Sequence, residues 1–487
     1  MILARVLDGI DILECHADVG MEVSDICFDS RQAKEGGLFI AMKGEKTDGH
    51  DYIPMAMAGG CGVCVCQRKP EGNFPYILVE DAKAASYKIS DNFFDSPHKK
   101  LIIVGVTGTN GKTTITNLLK HVIETCLETK AGLIGTNGVR SGDNEFETSR
   151  TTPEYPDLMR YFRMMVEDGC THCVMEVSSH SLVLGRVRGI QFRVAVFSNL
   201  TREHLDFHGT MEEYSRAKAM IFDQADMAVC NLDNDEMGDM HLKPDCIPIP
   251  TITCSCKTKK AMLFAKKILL EPDCVKFAVV TTGETVRTSL NIPGLFSVSN
   301  GLCVIGAAME LGIRLHDAAQ ALKSAHGVCG RLETLDTPGD FTAIIDYAHT
   351  PDALEKVLQS LRETCKGRLI CVFGCGGDRD RTKRPIMGRI GTSLSDFAII
   401  TSDNPRTESP QSIIDEVAAG ADAAKANYIT ICDRERAIEY AIVNRKPGDT
   451  ILLAGKGHET YQEINGVKRH MDEREIVAEI LKRGKST

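Results

Sequence analysis

Residues 105–114 read Gly-Val-Thr-Gly-Thr-Asn-Gly-Lys-Thr-Thr. An apolar run at 101–104 precedes them. Residues 115–127 follow, with Ile115, Leu118, Leu119, Val122 and Ile123 at the spacing of one helix face. Strand, glycine-rich turn, Lys-Thr and helix, in that order, are the parts of a phosphate-cradling loop. The glycines let backbone N–H groups approach an anion, and the helix N-terminus adds the positive end of its dipole. In such a loop Lys112 reaches the terminal phosphates and Thr113 offers a hydroxyl to Mg²⁺. The spacing departs from G-x-x-x-x-G-K-[ST], because only Thr109 and Asn110 separate Gly108 from Gly111. The plain alternative is a tight turn followed by a chance Gly-Lys-Thr. A strand and a helix on the correct sides argue against it.

Chemistry on a nucleoside triphosphate also needs metal ligands of the oxygen or imidazole kind. Glu176 belongs to Glu176-Val-Ser-Ser-His180, and His204 to Asn199-Leu-Thr-Arg-Glu-His-Leu-Asp206. Glu176 lies at the end of an apolar run, 172–177, and His204 follows another, 194–197, so in a parallel sheet both project to the edge that bears the phosphate loop. The plain alternative for Glu176 is a core-facing or solvated carboxylate, and Asp206 and His208 crowd the loop of His204. Lys218 lies on a helical stretch, 214–222, where a solvated lysine is the ordinary reading. Ser178, Ser179 and His180 adjoin, but neighbours on an extended turn do not face one another. The residues therefore point to phosphoryl transfer rather than acyl-enzyme hydrolysis.

The elements that must position these groups alternate in type. Short apolar runs at 101–104, 172–177, 194–197 and 227–230 are separated by helical stretches, the pattern of a mainly parallel sheet covered by helices. A turn at Pro293-Gly294 and a helix over 300–311 close this region. From 331 the alternation restarts, with strands at 343–346, 369–373, 397–401 and 450–454 and helices at 351–361 and 410–423. Its strand ends read Tyr347-Ala-His349, Gly374-Cys-Gly-Gly-Asp-Arg379, Asp403-Asn-Pro-Arg406 and Gly455-Lys-Gly-His-Glu459. In such sheets ligands sit beyond the carboxyl ends of the strands, so a second ligand is expected there. Ahead of both, 1–98 reads as a small α/β unit with a strand-like run over 26–30 and strands at 37–42, 62–66 and 76–79. Its Ser30 and the turn 45–47 suit a ligand, or are plain surface loops. The fold class is α/β in three domains: 1–98, a P-loop parallel-sheet domain over 99–330, and a doubly wound Rossmann-like domain over 331–487.

Composition excludes several classes. A net charge of −10 disfavours general nucleic-acid binding. There is no apolar run of the ~18 residues a membrane helix needs, and no signal-peptide pattern, so a soluble cytoplasmic protein is expected. The 19 cysteines are scattered through apolar segments, as small core residues kept reduced. Cys64 and Cys66 show strand alternation rather than zinc-site spacing.

Seven runs together resemble the Mur ligase family: Gly-Thr-Asn-Gly-Lys-Thr-Thr at 108–114, Met-Glu-Val-Ser-Ser-His at 175–180, the 201–209 segment, Ala-Lys-Ala-Met-Ile-Phe at 217–222, Gly-Arg-Leu-Glu at 330–333, Asp-Tyr-Ala-His-Thr-Pro-Asp at 346–352 and Asp-Asn-Pro-Arg at 403–406. They follow one another in order from 108 to 406. The resemblance implies an N-terminal domain holding UDP-N-acetylmuramoyl-L-Ala-D-Glu, a central ATP and Mg²⁺ domain, and a C-terminal domain that brings in an amino acid. It places Phe28, Ser30, Glu45, Lys46 and Thr47 on the UDP part, and Thr151, Thr152, Ser178 and Arg186 on the muramoyl dipeptide. Gly108, Thr109, Asn110, Gly111, Lys112, Thr113, Thr114, Asn300 and Arg331 fall on ATP. Thr113, Glu176, His204 and Lys218 fall on metal ligands, with Lys218 carrying a CO₂-derived carbamate (N6-carboxylysine). Lys112, Lys218, His204 and Glu176 are the implied catalytic set. Arg379, Asp403, Asn404, Pro405, Arg406, Gly455 and Glu459 fall on the amino-acid site. Arg150 and Leu184 depart from residues seen in some relatives and put individual dipeptide contacts in question.

The implied activity is ATP-dependent: the D-Glu γ-carboxylate forms an acyl phosphate, which an incoming amine then attacks. Asp403-Asn-Pro-Arg406 offers a planar guanidinium for a distal carboxylate, which meso-diaminopimelate has and lysine lacks. The substrates are small molecules and the expected state is a monomer. The rival readings are a lysine-adding ligase, a folylpolyglutamate synthetase-like ligase, and a non-catalytic nucleotide switch.

Overall fold

The computed structural model describes residues 1–44, 47–148, 150–233, 240–424 and 427–484 of the chain. They form two compact units, one of 1–107, 128–195 and 216–227, the other of 108–127, 196–215 and 228–487. Among the described residues no helix is long and apolar enough to cross a membrane.

The first unit opens with a five-stranded sheet in the order Ile12–His16, Tyr76–Val79, Val63–Cys66, Leu38–Ile40, Ile26–Cys27. All four residues of Val63–Cys66 are buried, as a central strand covered on both faces requires. Cys64 and Cys66 share one face of it and pack with Cys27, Phe39, Ile53 and Cys61, so these thiols are core residues, and they are free. The strand expected over 26–30 stops at Cys27. The Asp29 carboxylate accepts from the Arg31 backbone N–H at 3.0 Å and turns the chain into the short 3₁₀ helix Ser30–Gln32.

In the same unit Cys170–Glu176 runs parallel between Ile102–Thr107 and Lys130–Gly135. Glu176 pairs with Val106 near the carboxyl ends of the two strands. Gly105 lies inside Ile102–Thr107, and a Cβ there would come within 2.8 Å of the Phe192 ring. It is a packing glycine; the cradle itself spans 108–111.

In the second unit helix Lys112–Leu127 follows the cradle directly and buries Ile115, Leu118, Leu119, Val122 and Ile123, the face read from the sequence. Residues 228–231 pair in parallel with Thr251–Ser255, which pairs in parallel with Leu263–Leu270. Val275–Val280 and Thr285–Leu290, which the sequence reading did not place as strands, then join antiparallel. Their connections are tight turns, closed by Glu271 N–H to Cys274 C=O and Thr281 N–H to Glu284 C=O, each 2.9 Å. Such turns are too short for the crossover that a parallel pair needs.

The C-terminal sheet runs Glu333–Thr334, Thr342–Asp346, Thr450–Ala454, Leu369–Phe373, Phe397–Ile400, Tyr428–Thr430. All its pairs are parallel except the first. Helices Pro351–Arg362 and Pro410–Ala423 fall where the apolar spacing puts them. A hairpin, Tyr461–Ile464 with Val467–His470, follows the last strand.

Candidate active site

The phosphate loop is held by the segment after strand Phe192–Phe197. Thr109 N–H donates to the Asn199 carbonyl at 2.8 Å, and Asn110 N–H to the Asn199 side chain at 2.9 Å. The Ser198 hydroxyl donates to the Asn110 carbonyl at 2.6 Å. Gly108 has φ +143°, and a Cβ on it would lie 1.9 Å from Ser198 Oγ, so glycine is the residue that allows this approach. Lys112 Nζ donates to the carbonyls of Gly108 and Thr109 at 2.9 and 2.8 Å, folding its ammonium over the loop. Thr113 and Thr114 are buried in the first turn of the helix. Asn300, from helix Leu295–Glu310, lies against Gly111, where a Cβ would sit 2.6 Å from its Oδ1. Arg331 Nη2 donates to Thr113 Oγ1 at 3.1 Å, and its guanidinium lies over Tyr347 at 4.8 Å. The expected nucleotide contacts Asn300 and Arg331 are thus brought to the loop.

Asp352 was not expected here. Its Oδ2 accepts from Asn110 Nδ2 and Thr201 Oγ1, both at 3.1 Å. It belongs to the 346–352 run quoted above, but its residue type alone could not reveal a contact 242 positions away.

In the first unit, Glu176 is 1% exposed. Its two carboxylate oxygens accept from the Thr136 N–H at 2.9 Å and the Thr136 hydroxyl at 3.1 Å. Gly135 makes room for it, since a Cβ there would stand 2.3 Å from Oε1. Glu176 is therefore a buried, hydrogen-bonded carboxylate at a strand end. Thr152 donates to the Glu176 carbonyl at 2.9 Å and accepts from Ser178 N–H at 3.1 Å. Thr151 meets Thr136, hydroxyl to hydroxyl, at 3.1 Å. Arg186 reaches the Thr152 carbonyl at 3.4 Å and pairs with Glu154 at 2.8 Å. Arg150 pairs with the same Glu154. Four residues expected at the dipeptide thus converge around Glu176, and Glu154 joins them unforeseen. Leu184 is half-buried just past the helix Ser179–Val183.

Ser30 and Phe28 lie on the turn after Ile26–Cys27, both half-buried, with the Ser30 hydroxyl 3.4 Å from Met55 Sδ. Thr47 is exposed and accepts from Gly44 N–H at 2.9 Å. Glu45 and Lys46 lie outside the described residues. His204 has φ +57° at the start of helix Leu205–His208 and packs edge-on to Tyr214, with ring centroids 6.1 Å apart. Lys218 is not the solvated lysine its spacing allowed: on helix Met211–Ala219 it is 1% exposed.

Above the C-terminal sheet the charged groups lock together. Asn404 Nδ2 donates to Glu459 Oε2 at 2.8 Å. Lys456 Nζ donates to Asn404 Oδ1 at 2.7 Å and to Glu459 Oε2 at 3.0 Å. Burial alone would push the Asp403 carboxyl up, but Lys456 and Arg434 beside it and the Asn404 N–H outweigh that and hold it below the ordinary carboxylate range. Arg406, at φ +51°, donates from Nη1 to the Gly377 carbonyl at 2.8 Å and stands 3.6 Å from Glu463. Pro405 is buried under this turn. Gly455, at φ +114°, passes so close to Asp403 that a Cβ would lie 2.7 Å from its Oδ2.

Arg379 is exposed and donates to its neighbour's carbonyl at 3.2 Å, apart from this network. The fully buried arginine of that region is Arg384, forked onto Glu408 at 2.9 and 2.8 Å and onto Glu416 at 3.0 Å. In this region Lys456 and Arg384 are residues that sequence reading passed over. Lys456 lay inside a quoted run, and a lysine between two glycines signals a turn, not a buried ion.

Three family models match the chain: "Mur ligase family, catalytic domain" over 22–92, "Mur ligase middle domain" over 106–308 and "Mur ligase, glutamate ligase domain" over 330–457. A relative from Clostridioides difficile (strain 630), named UDP-N-acetylmuramoyl-L-alanyl-D-glutamate–2,6-diaminopimelate ligase, is 41% identical over 483 residues, 99% of each chain. One of the same name from Caldanaerobacter subterraneus subsp. tengcongensis is 44% identical over 472 residues, 96% of each. A solved structure, also of a UDP-N-acetylmuramoyl-L-alanyl-D-glutamate–2,6-diaminopimelate ligase, superposes with a TM-score of 0.67 at 30% identity and covers 100% of both chains. With the 108–111 cradle and the Glu176 cluster inside the middle-domain span, and Asp403, Asn404, Arg406 and Lys456 inside the glutamate-ligase span, the chain belongs to the Mur ligase family and has its three-domain architecture.

Proposed function

We propose that this protein joins meso-2,6-diaminopimelate to the D-Glu γ-carboxylate of UDP-N-acetylmuramoyl-L-Ala-D-Glu, with ATP driving the bond through an acyl phosphate. The observation that carries this reading is the ionic network of buried Asp403, Asn404 and Lys456 with half-buried Glu459, and Arg406 alongside. Fixed cations and anions side by side suit a ligand end bearing both a carboxylate and an ammonium. The relatives named above carry diaminopimelate in their names.

Each part of the chain has a task on this reading. Residues 1–98 hold the UDP end, 99–330 the nucleotide, and 331–487 the amino acid. The backbone N–H groups of 108–111 and the dipole of helix Lys112–Leu127 receive phosphates. Lys112 turns from its own loop carbonyls to the transferring phosphoryl group. Positioning and electrostatics supply most of the acceleration in such transfers. Thr151, Thr152, Ser178 and Arg186 hold and orient the dipeptide. Asn300 and Arg331 bind the nucleotide. Arg406 takes the distal carboxylate of diaminopimelate, and Glu459 takes its ammonium. Arg379, at an exposed loop tip, approaches the amino acid as it enters.

Mg²⁺ suits the oxygen donors that each unit offers by itself, the buried threonine hydroxyl at 113 in one and the buried carboxylate at 176 in the other, and the imidazole at 204 is a borderline donor. A carbamate on Lys218 would add a further anionic oxygen donor, and the burial of Lys218 suits a group shielded from hydrolysis. When bound, Mg²⁺ offsets negative charge on the phosphoryl group in transfer. The enzyme works on this reading as a cytoplasmic monomer, a point that light scattering checks.

The deciding experiment measures phosphate release with ATP and UDP-N-acetylmuramoyl-L-Ala-D-Glu, adding diaminopimelate, lysine or glutamate in turn. Release that requires both the UDP substrate and diaminopimelate is the expected result. Release with lysine instead points to the lysine-adding ligase. Release that needs neither substrate points to a nucleotide switch and refutes the reading.

A further inference from the structure

We infer that Lys456 is a positioning residue of the amino-acid site, holding the Asn404 amide and the Glu459 carboxylate in the orientations that meet the incoming amino acid. The inference rests on the ligase reading above and extends it to a residue outside the expected set.

Lys456 is 0% exposed, rare for lysine, whose long stem and strongly hydrated head favour the surface. Its ammonium has three polar engagements: Asn404 Oδ1 at 2.7 Å, Glu459 Oε2 at 3.0 Å and the face of Tyr461 at 5.3 Å. Both hydrogen-bond partners are residues assigned to diaminopimelate. A purely structural slot of this size could be filled by an apolar side chain at equal or greater stability, because burying charge is costly even when it is paired. The charge therefore has a use beyond packing.

That use is visible at Asn404. Its Oδ1 accepts from Lys456 and also from the Glu463 backbone N–H at 2.9 Å. Two donors on one end specify which end is oxygen, so Nδ2 faces Glu459. Removing Lys456 leaves a single donor on that end and a carboxylate without its cation, and the amide can then turn over. The backbone is arranged to aim this side chain. Gly455 and Gly457 both have positive φ, +114° and +54°. A Cβ on Gly455 would strike Asp403 at 2.7 Å, and one on Gly457 would strike Tyr347 at 2.6 Å. The turn is thus pressed against both neighbours, with Lys456 between the glycines and its head inside. The low-lying carboxyl of Asp403 fits a cation fixed beside it.

The test is Lys456→Met, a chain of similar girth without charge, assayed in the full-length protein with diaminopimelate and with lysine. The KM for the amino acid is expected to rise about 10- to 100-fold, the worth of hydrogen bonds to a charged group. The KM values for ATP and the UDP substrate should stay within about twofold, a split that general loss of structure would not give. In an Asn404→Ala background the same substitution should have a much smaller effect, since the partner it acts through is gone. An unchanged amino-acid KM, a parallel rise in all three KM values, or additive effects in the double mutant would overturn the inference. Should Lys456→Met not fold, Lys456→Gln replaces it, too short to reach both partners; a folded Gln variant with wild-type KM would equally overturn it. Wild-type protein inactive with both amino acids sinks the ligase reading and this inference together. Active wild type with an indifferent Lys456 sinks this inference alone.

Discussion

Replacing Arg406 by alanine tests how the amino acid is chosen. The guanidinium engages protein through Nη1 to Gly377 at 2.8 Å and through a 3.6 Å approach to Glu463. Those side chains are 22% and 27% exposed, so the ion pair is worth ~0.5–1 kcal/mol. The backbone is neutral to the change, because φ +51° is as unfavourable for alanine as for arginine. This structural loss falls on every substrate alike. The loss specific to diaminopimelate is that of charge-assisted hydrogen bonds to its distal carboxylate, ~3 kcal/mol for a forked pair, or roughly 100-fold in kcat/KM. Lysine, with no carboxylate at that end, should lose only the shared part, about 2- to 5-fold. The diaminopimelate-to-lysine ratio of kcat/KM should therefore collapse by more than tenfold in Arg406→Ala. Competition assays with both amino acids in one reaction read that ratio directly. If both substrates lose equally, Arg406 holds the loop and does not read the carboxylate, and the reasoning is refuted.

Lys218→Ala should be nearly inactive and regain activity with added formate or acetate, and intact wild-type protein should gain the mass of one CO₂ in bicarbonate. Absence of both rescue and mass gain contradicts carbamylation. Lys112→Ala should abolish turnover while calorimetry finds UDP-substrate affinity within about twofold of wild type; equal losses of rate and affinity would contradict the separate binding roles. Acid should weaken the C-terminal unit through Asp449. Burial opposes ionisation of this carboxyl, yet hydrogen bonds from Arg368 and from backbone N–H groups hold it below its ordinary value of 3.8. With the folded pKa depressed, its stabilising contribution is complete above pH 3.8 and fades as pH falls through the folded value. Asp449→Asn should lower the melting temperature at neutral pH and flatten its decline below pH 4. A variant that tracks wild type through that range would count against the pairing.

What the sequence determined by itself is local. The glycine-rich turn between a strand and a helix, the apolar face of Lys112–Leu127 and the parallel alternation of the C-terminal sheet follow from periodicity and turn chemistry, which operate over a few residues. The same logic placed Glu176, Asp403 and Gly455 at strand ends, and the family resemblance supplied their roles. Three features were decided only by tertiary structure. Glu176 is clamped by Thr136, forty positions away. Asn110 meets Asp352 across 242 positions. Lys218 and Lys456 are buried although each looks like a surface lysine in sequence. The strands of the antiparallel flank over 263–290 were not read from the sequence; their direction is set by hairpin turns too short for a crossover. Burial of an ion depends on which partners the fold brings within reach, and a buried charge is tolerated only where they arrive together. That condition joins residues distant in the chain, so no local pattern carries it.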